Sequence, residues 1–142
     1  APARHEVWSA TAGAGAFLNG RRLVASTRSA LAGARIPADS LPREDRDLAM
    51  VEKPNSIALR IAMVAADEAD LVATLRWGNE WDIAAAVLIA DEAGAGVSDA
   101  LGQALMFNKP DPRAFGVLAT APAIHAAAVA RLKERADAAF VR

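Results

Sequence analysis

The stretch Trp81-Asp82-Ile83-Ala84-Ala85-Ala86-Val87-Leu88-Ile89-Ala90-Asp91-Glu92-Ala93-Gly94-Ala95 decides how this 142-residue chain is read. Small and aliphatic residues run unbroken from Ile83 to Ala90, and Gly94-Ala95-Gly96 supplies a stop. The pattern predicts a helix over 81–93. Asp82 then falls in the first turn, where the positive end of the helix dipole stabilises a carboxylate. Ala84, Ala85 and Ala86 leave the backbone bare, so another element or a ligand can approach closely. A carboxylate fixed there suits Mg²⁺, a hard cation that takes oxygen ligands. Taken alone, an Asp in a first turn is more often a plain electrostatic stabiliser.

Working outward, residues 6–26 predict an antiparallel hairpin. Gly13, Gly15 and Asn19-Gly20 mark its turns, and Asn-Gly favours the positive φ angles of a tight one. Residues 21–26 read as the return strand, with Leu23 and Val24 as its apolar residues. Residues 29–55 carry Pro37, Pro42, Pro54 and the run Arg43-Glu44-Asp45-Arg46-Asp47, and predict a solvated loop or short surface helix. Ser56 is a good N-cap for a helix over 56–66 that is apolar nearly all round, as in a helix held between two layers. Short strands follow at 71–76 and 97–98, a turn at 99–102 and an apolar strand at 115–119. An alanine-rich helix closes the chain at 122–140. Strands alternating with helices give the α/β class, arranged as a single domain over 1–142.

Composition excludes several function classes. At 54% hydrophobic, a chain of this length can bury a real core, roughly 68–70% of its unfolded surface. Lys and Arg number 16 against 17 acids, a net charge of −1. That balance makes no electrostatic case for a nucleic acid polymer or a membrane surface as partner. There is no cysteine, hence no disulfide framework and no thiolate metal site, which fits a cytoplasmic setting. No apolar run approaches the ~20 residues that span a bilayer, since residues 114–130 are interrupted by Pro122 and His125. The sequence opens at Ala1-Pro2 and reads as strand within a few residues, which suggests that a segment is missing upstream.

The segment around Asp82 resembles the second signature of the inositol monophosphatase family: Trp-Asp, a hydrophobic residue, small residues, an aliphatic run, then Glu-Ala-Gly. Gly13-Ala14-Gly15-Ala16-Phe17-Leu18-Asn19-Gly20 is similar to the family's hairpin, G-x-G-A-F-x-N-G. Residues 56–66, Ala69-Asp70, Asp99-Ala100-Leu101-Gly102 and Gly116-Val117-Leu118-Ala119 agree with it in the same order. The resemblance covers nearly the whole chain and is nearest to the bacterial 3′(2′),5′-bisphosphate nucleotidase-like branch. It implies the carboxyl-terminal half of a layered α/β/α/β/α sandwich, a mixed sheet flanked by helices, in a protein that is commonly a homodimer.

The resemblance also implies a chemistry. Members hydrolyse small phosphorylated metabolites with Mg²⁺, which neutralises charge on the phosphate and activates water. Most of the metal ligands belong to the family's first half, including an Asp-Pro-Ile-Asp-Gly-Thr element that this sequence lacks. Asp111-Pro112-Arg113-Ala114 is the nearest string, lies in the wrong order and reads as a turn. Asp82 is the one implied metal ligand and catalytic residue here. For the phosphate, Lys53, Asn55 and Ser56 precede a helix whose free N–H groups suit an anion. Asn55 stands where the family has Gly. Arg60 matches a basic position of the nucleotidase branch and could reach a second phosphate. Arg76 precedes Trp81-Asp82 on the substrate side. The inositol branch has an acid near Thr74-Leu75-Arg76, and its replacement here argues for a more anionic substrate. His5 reads as a strand start and His125 as a surface helix residue, neither catalytic. Trp8 and Phe17 read as hairpin packing, Trp77 as packing or the pocket mouth, and Trp81 as packing beneath Asp82.

Three readings follow. The chain is half of an enzyme completed by an amino-terminal half or a second copy, acting on a bisphosphate nucleotide or else on inositol 1-phosphate. Alternatively it is a catalytically incomplete fragment with a structural or partner-binding role. The third is an unrelated α/β binding domain.

Overall fold

The computed structural model describes residues 1–141. A 3₁₀ turn at Pro2–Arg4 comes first, and the first strand, β1 (Trp8–Thr11), pairs antiparallel with β2 (Gly15–Leu18), which pairs in turn with β3 (Arg21–Arg22). Asn19 and Gly20, with φ of 49° and 79°, make the tight turn between β2 and β3, as their composition predicts. Beyond β3 the chain stays extended. Leu23 and Ala25 are buried there, but Val24 between them is 67% exposed. The apolar pair from the return segment is therefore Leu23 and Ala25, because alternate residues face the core.

The segment expected to be a solvated loop is more ordered than its prolines suggest. β4 (Arg35–Pro37) and β5 (Ala49–Val51) pair in parallel, with a 3₁₀ turn at Arg43–Asp45 between them. The charged run is anchored. Arg135 forks onto Asp45 at 2.7 and 3.0 Å, and Arg131 onto Asp47 at 2.6 and 2.9 Å. Asp45 is buried. Bidentate guanidinium–carboxylate pairs fix geometry as well as charge, so two acids of the run fasten it to the last helix.

Two helices form the next layer. α1 (Ile57–Ala65) starts at Ser56, whose hydroxyl accepts the amide of Leu59 at 3.2 Å, and α2 spans Glu80–Glu92. The two helices pack on each other; α2 lies against the hairpin sheet, and both lie against a second antiparallel sheet. That sheet has β8 (Arg113–Thr120) between β6 (Leu71–Asn79) and β7 (Gly96–Ser98). One core runs through all three layers, from Ala16 and Leu23 through Ile61, Val64, Val87 and Ala90 to Val72 and Val117. The far side of the sheet is covered by α3 (His125–Phe140), where Leu71 and Leu118 meet Ile124, Ala128 and Leu132. The strand period of two sends Val117 and Ala119 toward the helices and Leu118 toward α3. The result is an α/β stack of sheet, helices, sheet and helix. Both larger sheets are antiparallel.

A bulge shapes the middle of that sheet. Thr74 pairs with Val117 and Trp77 with Phe115, so Leu75 and Arg76 together oppose Gly116 alone. Gly116 has φ +69°, and a Cβ there would run into the carbonyl oxygen of Thr74 and lie 2.7 Å from Ala100 Cβ. Extra residues of this kind re-aim side chains. His125, expected on a surface helix, is instead half-buried at the start of α3. Its ring lies 3.0 Å from Thr120 Oγ1 and 2.9 Å from Ser98 Oγ. Burial holds its pKa below the ordinary histidine value.

Two predictions follow from this packing. Gly116→Ala should cost more than about 3 kcal/mol, removing cooperative melting near physiological temperature. For His125 the folded state favours the neutral ring, so its contribution is complete above the unfolded pKa and is lost as pH falls below it. Chemical denaturation should show a smaller loss of stability between about pH 7.5 and pH 5.5 in His125→Asn than in the wild type. Equal losses would show that the ring does not titrate with folding.

Candidate active site

Asp82 is positioned by what holds α2 at its two ends. Asn79 precedes the helix, and the backbone N–H of Glu80 donates to the carbonyl of Pro112 at 2.9 Å. The Glu80 carboxylate is buried and accepts the amides of Asn108 at 2.7 Å and Lys109 at 3.4 Å, together with Lys109 Nζ. Chiefly through Lys109, these bonds hold Glu80 below its ordinary pKa. At the other end Glu92 accepts the amides of Gly13 and, at 3.1 Å, Gly15. Gly94, with φ +89°, ends the helix as a left-handed residue should. Asp82 lies between these anchors in the first turn and is exposed.

Asp82 and Arg76 line the same cavity, of about 300 Å³. Thr74, Ile57, Ile83 and Gly116 also line it. Thr74 Oγ1 accepts the amide of Val117 at 3.0 Å, tying the rim of the cavity to the bulge. Arg60, one turn into α1, donates to the carbonyl of Asn55 at 3.3 Å. Its Nε is buried without a partner among the described residues. Burial first, and then the positive charge of Arg76, hold Arg60 below its ordinary pKa, with Asp39 opposing. Arg76 lines the Asp82 cavity and Arg60 does not; the two are linked only by the charge of Arg76 acting on Arg60.

Other residues singled out by sequence fall elsewhere. Ser56 spends its hydroxyl on the α1 cap, and Asn55 beside it is exposed. Lys53 lines a different cavity and bonds Asp39 at 2.7 Å. Trp81 does not pack beneath Asp82: it is 68% exposed, facing the groove that Phe107 and Lys109 also line. Trp77, by contrast, does line the Asp82 cavity, and its ring also packs at 5.4 Å from Phe115 and 5.7 Å from Phe140. Trp8 is half-buried and bonds Glu6 at 3.1 Å. Sequence reasoning missed Glu80 as the anchor of the helix start. Its signal was a second acid directly before the Trp-Asp pair.

A bound Mg²⁺ needs several oxygen ligands in near-octahedral array. Among the described residues no three of His, Cys, Asp or Glu come together to hold one. Asp82 therefore has no two such side chains grouped with it among the described residues. No described helix is long and apolar enough to cross a membrane.

Comparison with known proteins matches residues 1–137 to the inositol monophosphatase family. The Nus factor SuhB of Pseudomonas aeruginosa is 35% identical over 119 residues, 71% of this chain and 43% of its own length. A fructose-1,6-bisphosphatase/inositol-1-monophosphatase of Thermotoga maritima is 35% identical over 118 residues, 77% of this chain and 46% of its own. Among solved structures, the inositol monophosphatase of Thermotoga maritima superposes with a TM-score of 0.77 at 27% identity, over 98% of this chain and 56% of that one. The chain therefore spans about half the length of the relatives it matches.

The anchoring of α2 is directly testable. Glu80→Gln should leave the fold intact but speed hydrogen exchange at the amides of Asn108 and Lys109, which it now bonds. Unchanged exchange there would mean that the carboxylate does not hold this loop.

Proposed function

This chain belongs to the inositol monophosphatase family, and from that premise we propose that the protein containing it is a Mg²⁺-dependent phosphomonoesterase acting on a small phosphorylated metabolite. Asp82 supplies one carboxylate of the metal site, and the remaining ligands come from outside this sequence or from a second copy. A 3′(2′),5′-bisphosphate nucleotide is the favoured substrate. The observations that support this preference are Arg76 on the wall of the Asp82 cavity and Arg60 Nε, buried without a partner among the described residues. A buried guanidinium nitrogen without an acceptor is costly, and an anionic group supplies one. A substrate with a second phosphate meets that need, and inositol 1-phosphate does not.

In this reading each residue of the chain has a stated task. The cationic pair binds and orients the non-reacting phosphate. The start of α1, with Asn55 and Ser56, lies at an end of the helix where free N–H groups favour an anion. The Thr74 hydroxyl stands on the rim in place of a carboxylate, which would repel an anionic substrate. The protein works in the cytoplasm as a homodimer. Inositol 1-phosphate remains the second reading, because the Thermotoga maritima relative carries that activity in its name.

Phosphate release by the whole protein with Mg²⁺ tests both readings. Asp82→Asn should reduce it at least 100-fold, the scale of removing one electrostatic element of a phosphoryl-transfer site (about 10²–10³). Arg60→Met should weaken use of 3′-phosphoadenosine 5′-phosphate about tenfold while sparing inositol 1-phosphate, as expected for one lost charge-assisted contact. Faster turnover of inositol 1-phosphate by the wild type would reverse the order of the two readings.

A further inference from the structure

We propose that the cavity on the α3 side of β6 is a second binding site, for a small amphipathic anion whose acidic group bonds Lys53. The cavity measures about 320 Å³, within the range of small-molecule sites. It is separated from the Asp82 cavity by the strand itself. Thr74 and Arg76 line one side of β6, and Leu71, Ala73 and Leu75 line the other. With Leu132 of α3 these residues give the second cavity an apolar floor.

Its polar groups are unequal, and this fixes the class of ligand. Lys53, Arg131 and Arg135 line it against Asp39 and Asp45, an excess of one positive charge. Arg135 and Arg131 are each held by two short bonds, to Asp45 and Asp47, and have no free fork to offer. Lys53 is different. Its one ionic partner among the described residues, Asp39, is 77% exposed, while the lysine side chain is only 29% exposed. A solvent-exposed ion pair contributes little, so Lys53 can exchange Asp39 for a ligand's acidic group at small cost. An apolar floor with one exchangeable ammonium at its edge fits a compact aryl or alkyl carboxylate or sulfonate. It does not fit a sugar phosphate, which would find no partners on Leu71, Ala73, Leu75 and Leu132. The site is independent of the phosphatase reading.

The test is fluorescence titration of the whole protein with 8-anilinonaphthalene-1-sulfonate and with its uncharged counterpart, N-phenyl-1-naphthylamine. The wild type should bind the sulfonate saturably at one site that Ala73→Trp, which fills the cavity, weakens about tenfold. Lys53→Met should weaken the sulfonate about fivefold to tenfold, one charge-assisted contact, and leave the neutral probe unchanged. The absence of saturable sulfonate binding overturns the proposal. So does equal binding in wild type and Lys53→Met, which would mark a merely apolar groove. If Ala73→Trp fails to melt cooperatively, the surface variant Lys53→Met decides on its own.

Discussion

The structure depends on a helix held at both ends by its own glutamates. At its start, Glu80 is buried under the loop that carries Asn108 and Lys109; at its end, Glu92 grips the amides of Gly13 and Gly15 in the hairpin. A buried or half-buried carboxylate is costly unless its lone pairs are filled, and both are filled by backbone amides, Glu80 by an ammonium as well. The bonds therefore fix α2 against two layers at once. Asp82, between them, is held by the helix and has no side-chain partner among the described residues. Its exposure follows from this arrangement: the neighbouring acids do the structural bonding, and the first turn of α2 presents a carboxylate to solvent.

The second constraint is the bulge in β6. Gly116 can sit opposite two residues because it adopts φ +69° and lets the Thr74 carbonyl approach. That approach places Thr74 and Arg76 on the helix side of the sheet and Leu75 on the α3 side. One strand thereby lines two cavities of different character. The first is anionic at Asp82 and cationic at Arg76; the second is apolar with a cationic edge. Asp70, at the start of the region, shows the same economy of charge. Burial alone would raise its pKa, but hydrogen bonds from Arg35, at 2.8 to 2.9 Å, outweigh it and hold the carboxyl well below the usual range.

Much of this was legible from sequence, and the failures have a common cause. The Asn19-Gly20 turn, the Ser56 cap and the Gly94 stop are local features, each set by the chemistry of one or two residues, and each is found as read. The position of α2 needed only hydrophobic runs and a first-turn acid. Trp81 was misread because aromatic residues are usually buried, whereas its direction depends on the helix face set by Glu80 and Glu92. Asp45 and Asp47 looked solvated because their partners, Arg131 and Arg135, lie some ninety residues away in sequence. Lys53 and Arg60 were both assigned to the phosphate. The fold sends one to Asp39 and the other toward Arg76, a separation that no spacing rule contains. His125 was missed because Ser98, one of its two partners, lies 27 residues away and reaches it only through the sheet.

The account rests on Asp82 being one ligand of a metal site that this chain does not complete. Calorimetric titration of Mg²⁺ into the 142-residue chain, alongside the whole protein, tests that claim most directly. The account predicts no saturable Mg²⁺ binding by the chain alone, and binding by the whole protein that Asp82→Asn abolishes. Tight Mg²⁺ binding by the chain alone, lost in Asp82→Asn, would contradict it and would mean that its own residues build the site.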